Sequence, residues 1–142
     1  MDTQAITSPV ATLVANDDRI EFYPEHFGKY FMAAENLLYV HASRYVQGYQ
    51  GGYWNFYTTT NGAFFAALDT SETLHVVIAD NYTSEHMSAE AVGITLMLFV
   101  LGRLLAARIP EHESERFIDS YHKLRDFALG HAEAQAILTA ID

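Results

Sequence analysis

Seven histidines are the side chains here best suited to bind a metal ion, so their spacing decides whether a metal site is expected. None of them forms the HExxH pattern, which would place two imidazoles and a general base on one helical face. His86 with Glu90 and His122 with Asp126 are i,i+4 pairs, and each pair offers two ligands at most. A tetrahedral or octahedral site needs more, so these pairs favour surface ion pairing over metal binding. We expect no metal.

Nucleophilic and paired-acid catalysis also lack their usual patterns. The chain has no cysteine, and no serine stands in GxSxG. Three glutamates between residues 111 and 115 crowd a predicted helix start, where the helix dipole favours carboxylates without any catalytic purpose. The glycines Gly48, Gly51 and Gly52 precede a strand and lack the lysine of a phosphate loop, which favours a tight turn. We predict no catalytic residue and no cofactor, with an enzyme of dispersed active-site residues as the alternative.

Residues 49–65 form a predicted hairpin that is rich in aromatic side chains. Asn61-Gly62 is a strong signal for a two-residue turn, which would pair Thr60 with Ala63. That register places four residues on a core face, Trp54, Phe56, Thr58 and Phe65, and four on the other face, Asn55, Tyr57, Thr59 and Phe64. The second face is either covered by another layer or exposed for recognition, because aromatic residues with polar tips anchor protein interfaces. Asn55, Tyr57 and Phe64 are therefore candidate interaction residues.

The C-terminus supplies a fourth candidate, Asp142. Ile137, Leu138 and Ile141 stand at i, i+1 and i+4, so the last helix is expected to dock on the core and hold Asp142 in place. An acid at a helix C-terminus faces the negative end of the dipole, which is mildly unfavourable. Asp142 is thus a candidate for contacting a basic partner, and the alternative is a solvated last residue.

The pattern of apolar residues predicts the elements that position these side chains. Helical spacing indicates helices over 30–46, 88–108, 114–129 and 133–141, and the stretch 91–102 is apolar enough for a central, buried helix. Alternation and β-branched residues indicate strands over 53–59, 63–68 and 73–79 in an antiparallel meander. Pro24 suggests a strand or extended arm over 20–27. The predicted class is α+β, one compact domain with a three-stranded antiparallel meander packed with about four helices.

Composition bounds the domain organisation and the partners. With 142 residues and 50% hydrophobic content, the chain can bury one core, so we expect a loosely ordered arm over 1–18 and one domain over 19–142. The formal net charge of −10 opposes direct binding to nucleic acid. The carboxylates are scattered among apolar residues, which favours ordinary solubility over imitation of DNA. The absence of cysteine and of a secretory signal favours a cytoplasmic protein without membrane contact.

Four sequence blocks resemble a known family. They are EFYPEHFG (21–28), YQGGYWNFYTTTNGAFFA (49–66), MSAEAVGI (87–94) and YHKLRDFALGHAEAQAILTAID (121–142). Together they resemble the ArdB/KlcA antirestriction family of conjugative plasmids, phages and genomic islands, in the family's order from about Arg19 to the last residue.

The resemblance implies a compact mixed fold and a function. That function is the protection of incoming mobile-element DNA from type I restriction-modification systems of the host. The implied partner is the restriction complex or a host factor that controls it, and the family is distinct from the acidic antirestriction proteins that imitate duplex DNA. Because the family has no settled active site, a small enzyme acting on a cofactor or a modification stays open as the second class.

Overall fold

The computed structural model describes residues 8–142, which form five strands and five α-helices. The strands are β1 (Ala11–Leu13), β2 (Trp54–Thr59), β3 (Phe64–Leu68), β4 (Leu74–Ile78) and β5 (Thr83–Met87). The helices are α1 (Phe22–Phe27), α2 (Phe31–Tyr45), α3 (Ala89–Ala106), α4 (Glu111–Leu129) and α5 (Ala134–Ile141). The predicted α+β class is confirmed, and the four predicted helices correspond to α2 to α5.

The three-stranded antiparallel sheet has β2 at its centre, between β1 and β3. The sheet is present as predicted, but its third member is β1 and not the strand predicted at 73–79. That strand is β4, which pairs with β5 in a separate hairpin. The edge of β3 that β4 would have joined is occupied by α3, which packs directly on it. The helix therefore replaces the expected strand.

Three residues separate the paired residues Thr59 and Ala63 in the turn between β2 and β3, so the predicted two-residue turn is wrong. Thr59 pairs with Ala63 through a backbone hydrogen bond of 2.9 Å, and Gly62 takes the left-handed conformation with φ of 87°. The Thr59 hydroxyl accepts the Ala63 N–H at 2.8 Å, and the Asn61 amide donates to the Lys123 carbonyl of α4 at 2.9 Å. One extra loop residue shifts the register by one and exchanges the faces of β3.

The segment predicted as a strand around Pro24 is a helix. Pro24 is the third residue of α1, where its missing N–H removes no hydrogen bond because the first N–H groups of a helix have no intrahelical acceptor. Phe22 and Phe27 of α1 are buried, and the Phe22 ring stacks on Phe56 with centroids 4.4 Å apart. Aromatic packing against the sheet thus stabilises a helix where the local pattern had indicated an extended chain.

Helix α3 is the centre of the protein, as its apolar sequence predicts. It is capped by Ser88 and packs against α2, α4, α5 and β3. Its 18 residues have the length and hydropathy of a membrane span, but 67% of them are buried by the rest of the chain, as in the core helix of a globular domain. Gly93 permits the contact with β3, since a Cβ atom there would lie 2.0 Å from the Ala66 carbonyl oxygen.

The structure describes the predicted N-terminal arm, residues 1–18, only from residue 8 onward. Residues 1–7 lie outside the described residues. Ala11–Leu13, within the same predicted arm, form β1 and pair with β2, and Asn16–Glu21 form a 3₁₀ turn that leads into α1. The boundary at residue 18 stays a prediction.

Candidate interaction surface

A groove of about 250 Å³ opens where β2 and β3 meet the start of α3, and we name it the Tyr57 groove. Its polar lining includes Asn55, Tyr57, Asp69, Ser88 and Glu90. The Asn55 amide donates to the Asp69 carboxylate at 3.2 Å. The Tyr57 ring stacks on Phe65 with centroids 5.0 Å apart. Burial and the nearby Glu90 charge raise the pKa of the Tyr57 phenol, so its hydroxyl keeps its proton at neutral pH.

One wall of the groove is fixed by the cap of α3. The Ser88 hydroxyl accepts the Ala91 N–H at 3.2 Å, which satisfies a free donor at the helix start. The carboxylate of Glu133 accepts the Ser88 N–H at 2.8 Å and also the hydroxyl proton of Ser88. Because both its proton and its oxygen are engaged, this serine has a structural role.

Beside the cap, Glu90 contacts His131 with 2.6 Å between carboxylate oxygen and Nε2. This hydrogen bond and the Glu90 charge raise the pKa of the imidazole, while burial opposes the change. The Glu133 N–H donates to Nδ1 of the same ring at 2.9 Å, so the neutral ring carries its proton on Nε2 and gives it to Glu90. The side chain of His131 is 10% exposed, and that of Glu90 is 41% exposed. The Glu90 carboxylate of this pair is therefore accessible to solvent, whereas the His131 ring is nearly buried.

The structure brings together two of the four predicted interaction residues. Asn55 and Tyr57 share a face of β2 and are half-buried in the Tyr57 groove. Phe64 does not join them, because the shifted register pairs it with Thr58 on the opposite face. There it is 3% exposed and stacks on His26 with centroids 4.0 Å apart, so its predicted place on the recognition face is wrong.

Asp142 lies at the other end of α5 from Glu133, about 12 Å along an eight-residue helix. As predicted, α5 docks on the core: Ile137 is fully buried. The Asn81 amide donates to the Ala140 carbonyl at 2.9 Å, which ties the last turn to the β4–β5 hairpin. Asp142 itself is exposed and separate from the groove. It forms a second, distant candidate position.

A model of the antirestriction protein family matches residues 47–142. The chain is 42% identical to an antirestriction protein KlcA of Escherichia coli, with 100% of both chains covered. It is 38% identical to another KlcA of that species, with 99% of each covered. The chain belongs to the antirestriction protein family. A solved structure from work on KlcA and ArdB matches with a TM-score of 0.87 and 38% identity over 100% of both chains.

The family blocks have structural explanations in this chain. In MSAEAVGI, Met87 and Ile94 are fully buried, Ser88 caps α3, and Gly93 lies against the backbone of β3. The same block supplies Glu90, whose partner His131 belongs to the C-terminal block. The two blocks are therefore bonded to each other, since the Ser88 cap is also held from the C-terminal block.

One of the two histidine pairs considered from sequence, His86 with Glu90, does not lie on a single helix in the structure. His86 lies in β5 and Glu90 in α3, so they are not on one helix as the i,i+4 spacing required. The His86 ring stacks instead on His75 across the β4–β5 hairpin, with centroids 4.2 Å apart. Over residues 8–142, no group of three histidine, aspartate or glutamate side chains is placed to hold a metal ion.

Sequence reasoning missed three members of the surface, Asp69, His131 and Glu133. Glu90 was considered, but as the i,i+4 partner of His86 and not of His131. The available signal was that Glu90 and His131 stand in two of the four blocks that carry the family resemblance. Their contact spans 41 residues of sequence, and local spacing does not predict such a distance.

Proposed function

We propose that this protein relieves type I restriction of incoming DNA in the cell by binding a host protein. The observation that carries the proposal is the full-length match, in sequence and fold, to the KlcA and ArdB proteins. These proteins show antirestriction activity against type I DNA restriction systems in vivo but not in vitro. An activity that needs the living cell is expected when the target is a component absent from the purified restriction reaction. The partner is the restriction complex in its cellular state or a host factor that controls it.

Charge supports a protein partner over DNA. The net charge of −10 repels the phosphate backbone. The Tyr57 groove joins carboxylates to an aromatic ring and an amide, a mixture that suits a protein surface better than it suits imitation of evenly spaced phosphates. The protein would act in the cytoplasm, where restriction complexes meet entering DNA.

Plating of unmodified phage on a restricting strain that expresses the protein tests the proposal. We expect plaque counts to rise for type I systems. In parallel, a purified type I complex with its nucleotide and DNA is incubated with the protein, with and without cell extract. Relief only with extract supports a host factor, whereas unchanged plaque counts across several type I systems would falsify the proposal.

The same assay tests the candidate interaction residues. Asn55→Ala and Tyr57→Phe change the groove without removing core side chains, and Asp142→Asn changes the second position. We expect lower plaque counts for at least one position at unchanged melting temperature, with exposed Asp126→Asn as the charge-matched control. Full activity in all three variants would dismiss these residues from partner binding.

A change in the restriction cofactor or in DNA modification would favour the enzymatic alternative. Mass spectrometry of the nucleotide and the DNA after incubation with the protein and the restriction complex measures this. We expect no product.

A further inference from the structure

Strand β1 presents an open edge. The two residues that flank it bond to the segment of β2: the Thr60 N–H donates to the Val10 carbonyl at 3.0 Å, and the Val14 N–H donates to the Phe56 carbonyl at 2.8 Å. In an antiparallel ladder hydrogen-bonded positions alternate, so Ala11 and Leu13 direct their N–H and C=O groups away from β2. Within residues 8–142 no strand pairs with that side of β1. Leu13 is 56% exposed and Val10 is 54% exposed.

A cavity flanks this edge on each face of the sheet. On the α1 face, a cavity of about 380 Å³ is lined by β1, Thr58 and three acidic residues, Asp18, Glu21 and Glu25. His26 also lines it, and burial together with the Arg116 charge lowers the pKa of His26 to about 4, so this ring is neutral at pH 7. This cavity wall is therefore negatively charged.

The cavity on the opposite face has different chemistry. It measures about 410 Å³, and its lining includes the apolar residues Val10, Ala11 and Phe127 together with Glu90 and His131. Glu90 also lines the Tyr57 groove, so the two depressions share a wall. A strand added beside β1 would point alternate side chains into the two cavities, because side chains alternate between faces with a period of two.

We propose that the outer edge of β1 binds an extended segment of a partner protein by strand addition, and that the segment alternates basic with apolar residues. The basic side chains face Asp18, Glu21 and Glu25, and the apolar ones face Phe127. The main chain of the segment pairs with Ala11 and Leu13, which is the general mode of peptide recognition at an open sheet edge. The inference rests on the proposed function only in taking the host target as the source of the segment.

Charge argues against a second copy of this chain as the occupant. Two β1 edges paired about a two-fold axis would bring together the acidic cavities of two molecules that each carry a net charge of −10. Like charges brought together in an interface disfavour that pairing. The acidic lining selects a basic partner instead.

The test measures binding of a labelled eight-residue probe peptide that alternates lysine and valine. Two further probes replace every lysine by glutamate, or carry N-methyl groups on the backbone nitrogens that pair with β1. We expect the lysine-valine peptide to bind, with an affinity that falls as salt is added. The other two probes should bind at least about tenfold more weakly. Because the N-methylated probe keeps the charge, it isolates the backbone pairing in the wild-type protein.

Two protein variants locate the binding edge. Ala11→Pro removes an N–H that β2 does not use, and Ala11→Ser keeps it. We expect the proline variant to lose at least about fivefold more affinity than the serine variant. The double variant Glu21→Gln with Glu25→Gln should weaken the lysine-valine peptide and reduce its salt dependence. Melting temperatures show whether each variant is folded.

Several results would overturn the inference. They are absence of binding by the lysine-valine peptide, equal binding of its N-methylated form, equal affinity of the two Ala11 variants, and self-association through β1 in sedimentation. Plating separates these results from the proposed function. If the protein relieves restriction but binds no probe, the proposed function stands and the strand site is wrong. If it binds the lysine-valine peptide normally but does not relieve restriction, the strand site stands and the proposed function is wrong.

Discussion

At one edge of the three-stranded sheet β3 lies against helix α3, whereas at the other edge β1 faces solvent. The helix meets small residues at the covered edge: Ala66 and Ala67 of β3 are buried, and Gly93 lets the helix approach the strand backbone. The open edge has only three residues in β1 and exposes the side chain of Leu13. An exposed edge invites pairing with another chain, so proteins cover it or keep it short. This three-stranded sheet does both, and within residues 8–142 its short β1 edge is the one left open to a partner.

The largest effect is expected where α3 covers β3. Gly93→Ala would place a Cβ atom 2.0 Å from the Ala66 carbonyl oxygen, and neither backbone can move freely in the core. We expect a loss of about 3 kcal/mol or more in the free energy of unfolding, at the upper end for overpacking. Gly102→Ala in the same helix is the control, because nothing lies within 4 Å of that position. Denaturant unfolding of both variants measures the difference, and equal stabilities would mean that α3 does not depend on this close approach.

A smaller loss is expected at the cap that begins the covering helix. Ser88→Ala removes the side chain that accepts the Ala91 N–H and leaves the Glu133 carboxylate without its hydroxyl donor. The expected cost is about 1 kcal/mol, as for other N-cap serines. Thermal melts beside exposed Ser71→Ala provide the comparison. Identical melts for the two variants would contradict the structural role of Ser88.

The Glu90–His131 pair connects the two edges, because both residues line the cavity beside β1 and Glu90 stands in the first turn of α3. We expect NMR titration to give His131 a pKa above its ordinary 6.5, and Glu90→Gln to lower it. A raised pKa in the folded state means that the pair stabilises the fold fully below pH 6.5. This contribution is lost as pH rises through the folded-state value. A measured pKa of His131 below 6.5 would show that the hydrogen bond from the Glu133 N–H to Nδ1 outweighs the contact with Glu90 and keeps the ring neutral.

The smallest effect on stability is expected at the open edge. Leu13→Thr replaces a side chain that is 56% exposed by a β-branched one that suits a strand. We expect the free energy of unfolding to change by no more than about 0.5 kcal/mol, as for other surface substitutions. A loss above about 1.5 kcal/mol in denaturant unfolding would mean that β1 is a covered part of the fold, and the contrast between the edges would disappear.

Local signals account for the elements that sequence reasoning predicted well. Ser88 before an apolar run predicts the start of α3, and Gly130 after Leu129 predicts the end of α4, because capping and helical periodicity involve neighbours within one or two turns. The same runs carry the family blocks. Residues that are close in sequence were therefore enough to predict the fold class, the four helices α2 to α5, the central place of α3 and the family.

Of the candidate surface, the sequence by itself determined that Asn55 and Tyr57 share a face of β2. The period of a strand alone decides this, whatever the register. The tertiary structure decided the partner of each strand, the face of Phe64 and the contact of Glu90 with His131. The hairpin register depends on a loop whose Asn61 bonds to Lys123, 62 residues away. The choice of β1 over β4 as the third strand depends on α3 filling the other edge. Such contacts join residues distant in sequence, so their energies are set by the packed fold and leave no periodic mark along the chain.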